Sequence, residues 1–449
     1  MNEELIYKGK KISSVGFFGL GKSTLALFNY LKKRYTGLSF TLRSDRPSEK
    51  IEGLLLRCGV AAREDISEDI LFLSPSVRRE PFYAAKGTIL SSDVEFFFEE
   101  KRIPVFTVTG SDGKSTTATL ASLILSQKGD FPACANIGVP MVTLLENETV
   151  LGAVAELSSF QLEYFSPPSE RALITNLSEN HLDWHTSMEE YASAKENALK
   201  LAKKRIFNLD CPYNRKLLKK YPAFAVYSRL LDYKEMKRRF SAERYFSLEK
   251  GYFSESGEPF LSENELMISG EHNISNFLAA TALCHGVASL DDIRAVAKSF
   301  TGLSHRAARL GNYGGIDFYD SSIDSTPTRT LATLNAMKRE TVLILGGRGK
   351  ALSYSPLFPL PKCVKAVVIT GENRFEIEEA MSLGYADKST PLCLVTEVFS
   401  EAVLRAISLA REGDAVLLSP ASTSFDSFSD YKERGKAFSD IIKKYYAAR

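Results

Sequence analysis

Two stretches of this chain carry glycines, a lysine and hydroxyls at spacings that suit phosphate. Gly16-Phe17-Phe18-Gly19-Leu20-Gly21-Lys22-Ser23 fits G-x-x-x-x-G-K-[ST] in full, whereas Thr109-Gly110-Ser111-Asp112-Gly113-Lys114-Ser115-Thr116 has Val108 where the first glycine belongs. Physical requirements favour the second all the same. A phosphate cradle needs a buried strand, a turn whose N–H groups converge, and a helix N-terminus. Residues 103–108 are strand-like, Gly110 and Gly113 allow the turn, and 116–126 predicts a helix. In this loop Lys114 would reach the β- and γ-phosphates, and the Ser115 hydroxyl would ligate Mg²⁺. In the first stretch Phe17 and Phe18 put bulk where a nest must be. It reads as a Rossmann-type turn, with Lys22 either an exposed helix-start residue or a diphosphate contact.

Other residue types add to this chemistry. Glu156 ends an apolar run, as a Walker-B-type carboxylate does, and its hard oxygens suit Mg²⁺; capping the next helix is the bland alternative. His181 and His185 stand four apart like a zinc pair, but no H-E-x-x-H and no third ligand at metal spacing accompany them. The pair therefore lacks the signature of a zinc site. The six cysteines are scattered and form no C-x-x-C, which predicts reduced thiols rather than a zinc ribbon or redox motif.

The elements that must position these residues alternate strand with helix, so the fold class is α/β with parallel sheets covered by helices. At 449 residues the chain exceeds a single compact domain. Charged residues 99–102 and the segment Gly302-Leu303-Ser304-His305-Arg306 mark two boundaries. The expected division is a Rossmann-like domain at 1–98, a P-loop ATPase-like domain with a mostly parallel sheet at 99–302, and a Rossmann-like domain at 303–449. An antiparallel portion is expected within 213–265, and the last block has strand candidates at 316–320, 341–345, 366–369 and 415–418. Ligands in such sheets bind beyond the carboxyl ends of strands.

Composition limits the partners. Lys+Arg is 57 against Asp+Glu 55, a formal net charge of +2, which argues against a large basic face for nucleic acid. No apolar run approaches the roughly 20 residues of a membrane span. The start Met1-Asn2-Glu3-Glu4 lacks a signal peptide's basic and apolar regions. A cytoplasmic protein without membrane insertion is expected.

With the loop at 109–116 placed, the surrounding residues resemble the ATP-dependent Mur ligases of peptidoglycan synthesis, and most of all their D-glutamate-adding branch. The resemblance covers essentially the whole chain. Asn136-Ile137-Gly138 matches N-x-G, Asn180-His181-Leu182-Asp183 the loop after the next strand, Tyr191 and Lys195 the Y-x-x-x-K, and His272-Asn273-Ile274-Ser275-Asn276 the H-N-x-x-N. Leu303, His305 and Arg306 fit G-L-x-H-R, and Leu345-Gly346-Gly347-Arg348-Gly349-Lys350 fits L-G-G-x-x-K. Residues 417–428, through Ser424 and Phe425, are the most D-glutamate-branch-like stretch and run on to Tyr431, Arg434 and Gly435.

This resemblance implies amide formation through an acyl phosphate, joining D-glutamate to UDP-N-acetylmuramoyl-L-alanine. It implies ATP on Gly110, Ser111, Asp112, Gly113, Lys114, Ser115 and Thr116, with Asn273 and Asn276 near the base, Arg306 near the phosphates and Asp320 on the ribose. Ser115, Glu156, His181 and Lys195 would hold two Mg²⁺ ions, Lys195 as a CO₂-derived carbamate; a solvated lysine is the alternative. Catalysis would centre on Lys114, His181 and Lys195. Lys22, Ser23, Arg43, Ser44, Ser74 and Asn136 would meet the UDP-substrate, and Lys350, Ser424, Phe425 and Tyr431 would face D-glutamate. A monomer is expected.

The sequence also departs from the pattern. On an ungapped reading Ser322 stands where the branch has a lysine, and Asp324 where it has a threonine; Ala307 and Ala308 follow Arg306 where an acidic residue is usual. Ser76 replaces the glycine of an S-P-G segment after Ser74 and Pro75. Competing readings are a related ligase with another amino acid or a folate-like acceptor, a dinucleotide oxidoreductase built on Gly19-Leu20-Gly21, and a binding module without catalysis.

Overall fold

The computed structural model describes residues 4–19, 21–43, 60–62, 66–80, 87–179, 184–268, 270–349, 353–385 and 390–447. The chain divides into two compact units, Met1–Phe300 and Thr301–Arg449. It is an α/β fold built on parallel-rich sheets.

The first unit opens with a short hairpin, Leu5–Tyr7 and Lys10–Ile12, and then a parallel sheet ordered Ala61–Ala62, Ser39–Arg43, Ser14–Phe18, Ile70–Leu73, Ile89–Ser91. Aromatic packing holds it. Phe17 stacks on Phe72 with centroids 5.9 Å apart and meets Phe28 edge-on at 6.1 Å. Burying each such ring contributes roughly 1.5–3 kcal/mol. The full G-x-x-x-x-G-K-[ST] pattern therefore begins inside a strand. Gly16 is there for packing, since a Cβ would come within 2.9 Å of Leu71 Cδ1. The real turn is Gly19, at φ +80, which leads to the helix Lys22–Arg34.

The second sheet of this unit runs Glu258–Ser262, Tyr252–Glu255, Ala242–Glu249, Ala223–Ser228, Lys204–Asn208, Arg171–Ile174, Val105–Thr109, Ala153–Glu156, Ala133–Ala135. Antiparallel pairing is confined to its last two strands at one edge, Tyr252–Glu255 and Glu258–Ser262. Ala223–Ser228 and Ala242–Glu249 extend the parallel sheet instead, and Ala223–Ser228 is buried along its whole length. The helices Lys114–Leu125 and Glu271–Cys284 pack together on this sheet. Buried Ala118 and Ala121 on one, and Ala279 and Ala282 on the other, permit close approach.

Among the described residues, the second unit has one sheet, ordered Ala308–Tyr313, Ile316–Asp320, Ala415–Leu418, Thr341–Gly346, Val364–Thr370, Leu392–Val395. Ala308–Tyr313 is antiparallel and the rest are parallel. The two edge strands were not foreseen. Both are largely half-exposed and lack a continuous apolar run, the signal that marks the four inner strands. Among the described residues, no helix is long and apolar enough to cross a membrane.

Candidate active site

The loop after Val105–Thr109 leaves the third strand from one edge of the large sheet, between Arg171–Ile174 and Ala153–Glu156. Gly110 and Gly113 adopt φ of +143 and +76, which L side chains avoid. Close walls enforce the same choice. A Cβ on Gly110 would lie 1.9 Å from Thr175 Oγ1, and one on Gly113 2.1 Å from Asn276 Oδ1. The turn that follows Arg171–Ile174 holds the loop. Ser111 N donates to Asn176 O at 3.0 Å, Asp112 N to Asn176 Oδ1 at 2.9 Å, and Thr175 Oγ1 to Asp112 O at 2.6 Å. Ser111 Oγ donates to Ser178 O at 2.9 Å and lies 3.0 Å from the Tyr191 hydroxyl.

The helix starts at Lys114 with Gly113 as its cap, and among the described residues no side chain caps the first turn. Its amides thus present an anion-binding end. Lys114 Nζ lies over the loop and donates to Ser111 O at 2.8 Å. Ser115 and Thr116 follow in that first turn. Asn276 reaches the loop from the neighbouring helix: Thr117 Oγ1 donates to its Oδ1 at 3.4 Å, and its Nδ2 donates to Asn273 Oδ1 at 3.4 Å.

Glu156 ends its strand 1% exposed, with Asn136 Nδ2 donating to Oε1 at 2.9 Å. Its Oε2 is buried and has no hydrogen-bond partner among the described residues. An orphaned buried carboxylate oxygen costs about 1–3 kcal/mol or more, and a cation would remove that cost. Lys195 is also 1% exposed, on the helix Met188–Lys200. Its Nζ donates to Thr109 Oγ1 at 3.5 Å and lies 4.6 Å from the centre of the Tyr191 ring. Burial, and then the like charge of Lys114, hold its pKa well below the ordinary lysine value, against the opposing pull of Glu156 and Asp112. The amine is thereby biased to its neutral, nucleophilic form. These residues suit Mg²⁺: an orphaned hard oxygen and a hydroxyl beside a phosphate cradle.

The structure thus brings Lys114, Ser115, Glu156, Lys195, Asn136 and Asn276 to one strand-end region. His181, Ser44 and Lys350 lie outside the described residues. In the first sheet, Lys22 is exposed at the helix start, and Ser23 hydrogen-bonds Asp93. Ser74 lies beside Gly19, where a Cβ would be 2.8 Å from its own Cβ. Arg43 turns inward: its Nη2 donates to both oxygens of Glu68, at 2.9 and 3.1 Å, and both side chains are nearly inaccessible.

In the second unit Asp320 is 1% exposed, its Oδ2 lies 2.6 Å from His305 Nδ1, and its Oδ1 accepts from Ser322 N at 2.8 Å. Arg306 is half-buried, and the Tyr431 ring lies 5.9 Å from that of His305. Ser424 is buried and Phe425 is 58% exposed. Nearby, Gly347, Thr370, Asp426, Phe428 and Arg434 line a small cleft.

Several contributors escaped the sequence reading. Thr175, Asn176 and Ser178 hold the glycine turn at 110–113 from a turn distant in sequence, and only proximity in the sheet reveals them. Arg434 donates to Thr423 O, Ser322 O and Ser422 O, each at 2.9 Å, and so ties three segments together. Its place next to Gly435 in a known pattern was the only sequence signal.

A glycine turn between a buried parallel strand and a helix, a buried carboxylate at the neighbouring strand end and a buried lysine make an arrangement of the kind nucleotide-dependent enzymes use. The Mur ligase middle domain matches residues 108–284. The UDP-N-acetylmuramoylalanine–D-glutamate ligase of Acetivibrio thermocellus is 34% identical, with 100% of both chains covered. That of Clostridium tetani is 33% identical over 98% of each. Among solved structures, Thermotoga maritima UDP-N-acetylmuramate-alanine ligase MurC is similar at a TM-score of 0.59 and 17% identity, covering 97% of this chain and 100% of that one. Acinetobacter baumannii MurF is similar at 0.60 and 17%, covering 97% and 94%. These two speak to the fold. The chain belongs to the Mur ligase family. Within it, the full-length relatives put it with the UDP-N-acetylmuramoylalanine–D-glutamate ligases.

Proposed function

We propose that the chain uses ATP to join D-glutamate to UDP-N-acetylmuramoyl-L-alanine, a step of peptidoglycan precursor synthesis. The substrate carboxylate attacks the γ-phosphate, giving an acyl phosphate and ADP. The amine of D-glutamate then attacks the acyl carbon, and phosphate leaves. Each step concentrates negative charge, so the site needs fixed cations and positioning more than an acid–base pair.

The observation that carries this chemistry is buried Glu156, with an orphaned oxygen, in the region of Lys114 and Lys195. Lys114 would bind the β- and γ-phosphates, and the loop amides would orient them. Ser115, Glu156, His181 and a modified Lys195 would hold Mg²⁺, which when bound neutralises phosphate charge. For that role the neutral Lys195 amine would form an N–C bond with CO₂ and release one proton, turning a cation into a carboxylate-like ligand. Asn136 would keep Glu156 oriented and touch the muramoyl substrate.

The remaining assignments follow the family pattern. Asn273, Asn276, Arg306 and Asp320 are proposed for the nucleotide. Lys22, Ser23, Arg43, Ser44 and Ser74 are proposed for the UDP moiety, of which Arg43 is the weakest candidate because Glu68 occupies it. Lys350, Ser424, Phe425 and Tyr431 are proposed for D-glutamate. The division of labour is 1–98 for the UDP-substrate, 99–302 for ATP and 303–449 for the amino acid, in a cytoplasmic monomer.

A second reading keeps the chemistry and changes the amino acid. It is favoured by Ser322 and Asp324. Ser322 is fully buried, and Asp324 accepts from Ser321, Thr333 and Ser419 at 2.6, 2.7 and 2.9 Å, so neither offers a free cation to a dicarboxylate. Phosphate release from ATP and UDP-N-acetylmuramoyl-L-alanine, screened against D-glutamate, L-glutamate, L-lysine and glycine, separates the two. Stimulation by D-glutamate alone is expected; stimulation by another amino acid alone supports the second reading, and none by any overturns both.

A further inference from the structure

Glu163, His185 and Glu190 bring two carboxylates and an imidazole together, each offering a ligand atom within 4.8 Å of the others. None has a task in the ligase chemistry above. Glu163 follows the helix Ser159–Leu162, and Glu190 lies in the first turn of Met188–Lys200, the helix that carries Tyr191 and Lys195. His185 comes from the turn before that helix. Its spacing to His181 suggested a zinc pair lacking a third ligand; the fold supplies two carboxylates that spacing alone does not mark.

His185 is completely buried, and neither ring nitrogen has a hydrogen-bond partner among the described residues. The ring stacks on Phe160, with centroids 5.9 Å apart and planes 14° apart, and lies 5.4 Å from the Tyr191 ring. Aromatic packing fixes the ring but satisfies no nitrogen, and an orphaned buried polar group costs about 1–3 kcal/mol. Both carboxylates are also oriented. Trp184 Nε1 donates to Glu163 Oε2 at 2.9 Å, and Thr186 N and Oγ1 each donate to Glu190 Oε2 at 2.6 Å. Such outer bonds are what aim metal ligands.

One imidazole and two carboxylates suit a borderline divalent ion such as Zn²⁺ better than Mg²⁺ or Ca²⁺, which prefer oxygen alone. We propose that Glu163, His185 and Glu190 form a structural zinc-class site, with water as fourth ligand, that ties the Ser159–Leu162 segment to the first turn of Met188–Lys200. It shares no residue with the Mg²⁺ site proposed on Ser115, Glu156, His181 and Lys195.

The test is titration of the full-length, tag-free, metal-stripped protein with zinc chloride alone, without ATP, followed by calorimetry and thermal melting. The wild type is expected to bind one equivalent that Glu163→Gln or Glu190→Gln weakens by at least about tenfold, that the double variant loses, and that Glu156→Gln retains. Zinc is expected to raise the melting temperature of the wild type and not of the double variant. Cobalt(II) bound to the wild type gives a check independent of any variant: intense visible bands expected of four-coordinate metal, competed away by zinc. No saturable zinc binding, binding unchanged in the double variant, or loss only in Glu156→Gln would overturn the proposal.

Discussion

Asn136 donates its side-chain amide to one oxygen of Glu156 at 2.9 Å, while the other oxygen, equally buried, has no partner among the described residues. The pair is poised as a metal ligand and its orienting neighbour. Removing an orienting partner typically costs 10–100-fold in metal affinity or activity. Asn136→Ala is therefore expected to raise the Mg²⁺ concentration for half-maximal activity by at least about tenfold, with a small change in melting temperature. Glu156→Gln should lose more activity, and extra Mg²⁺ should not restore it. An unchanged Mg²⁺ dependence in both variants would show that Glu156 serves only as structure.

Lys195 poses the opposite electrostatic problem, a buried amine whose charged form is disfavoured by burial and by Lys114. If it works as a carbamate, Lys195→Ala is expected to lose at least about 10²-fold in kcat and to regain part of it with formate or acetate. Wild-type activity should fall in CO₂-stripped buffer and return with bicarbonate. Full activity of Lys195→Ala, or rates indifferent to both bicarbonate and short acids, would sink the idea.

What the sequence revealed follows from range. The strand, turn and helix around Gly110 and Gly113 were legible because an apolar strand, two glycines and a helix start are contiguous, and Gly16 opens no such turn because it lies in a strand beside Phe17, which belongs to a core. Parallel strands buried on both faces, such as Ala415–Leu418, announce themselves as apolar runs. Relationships made by the third dimension did not. Thr175 and Asn176 reach the loop across a strand pair, and Glu163 meets His185 only because the Ser159–Leu162 helix folds beside it. The partner of Arg43 at its strand end was not legible either, since nothing local shows that Glu68 will pair with it.

The Arg43–Glu68 pair yields a prediction that separates structure from binding. Both side chains are buried, and Thr41 also donates to Glu68. Removing one partner of a buried pair leaves an uncompensated charge, at a cost of about 3–5 kcal/mol. Glu68→Gln is expected to lower the urea midpoint sharply, and any rise in KM for the UDP-substrate should follow that loss of fold. A large KM change with an unaltered midpoint would restore Arg43 to the ligand.

Asp93 gives the clearest pH signature. It opens the helix Asp93–Glu100, is 5% exposed, and has one oxygen without a partner among the described residues. Burial pushes its pKa up from 3.8 to about 6, against the lowering effect of a Ser23 hydrogen bond. A raised folded-state pKa means that the folded state holds the proton longer. The associated stability is fully present below pH 3.8, declines as pH rises, and is gone above about pH 6. The difference amounts to about 3 kcal/mol. Asp93→Asn cannot ionise, so it is expected to unfold at higher urea than the wild type at pH 7.5, with an advantage that shrinks steadily toward pH 4. Parallel stability curves for the two proteins across this window would mean that Asp93 is solvated or paired in the native state.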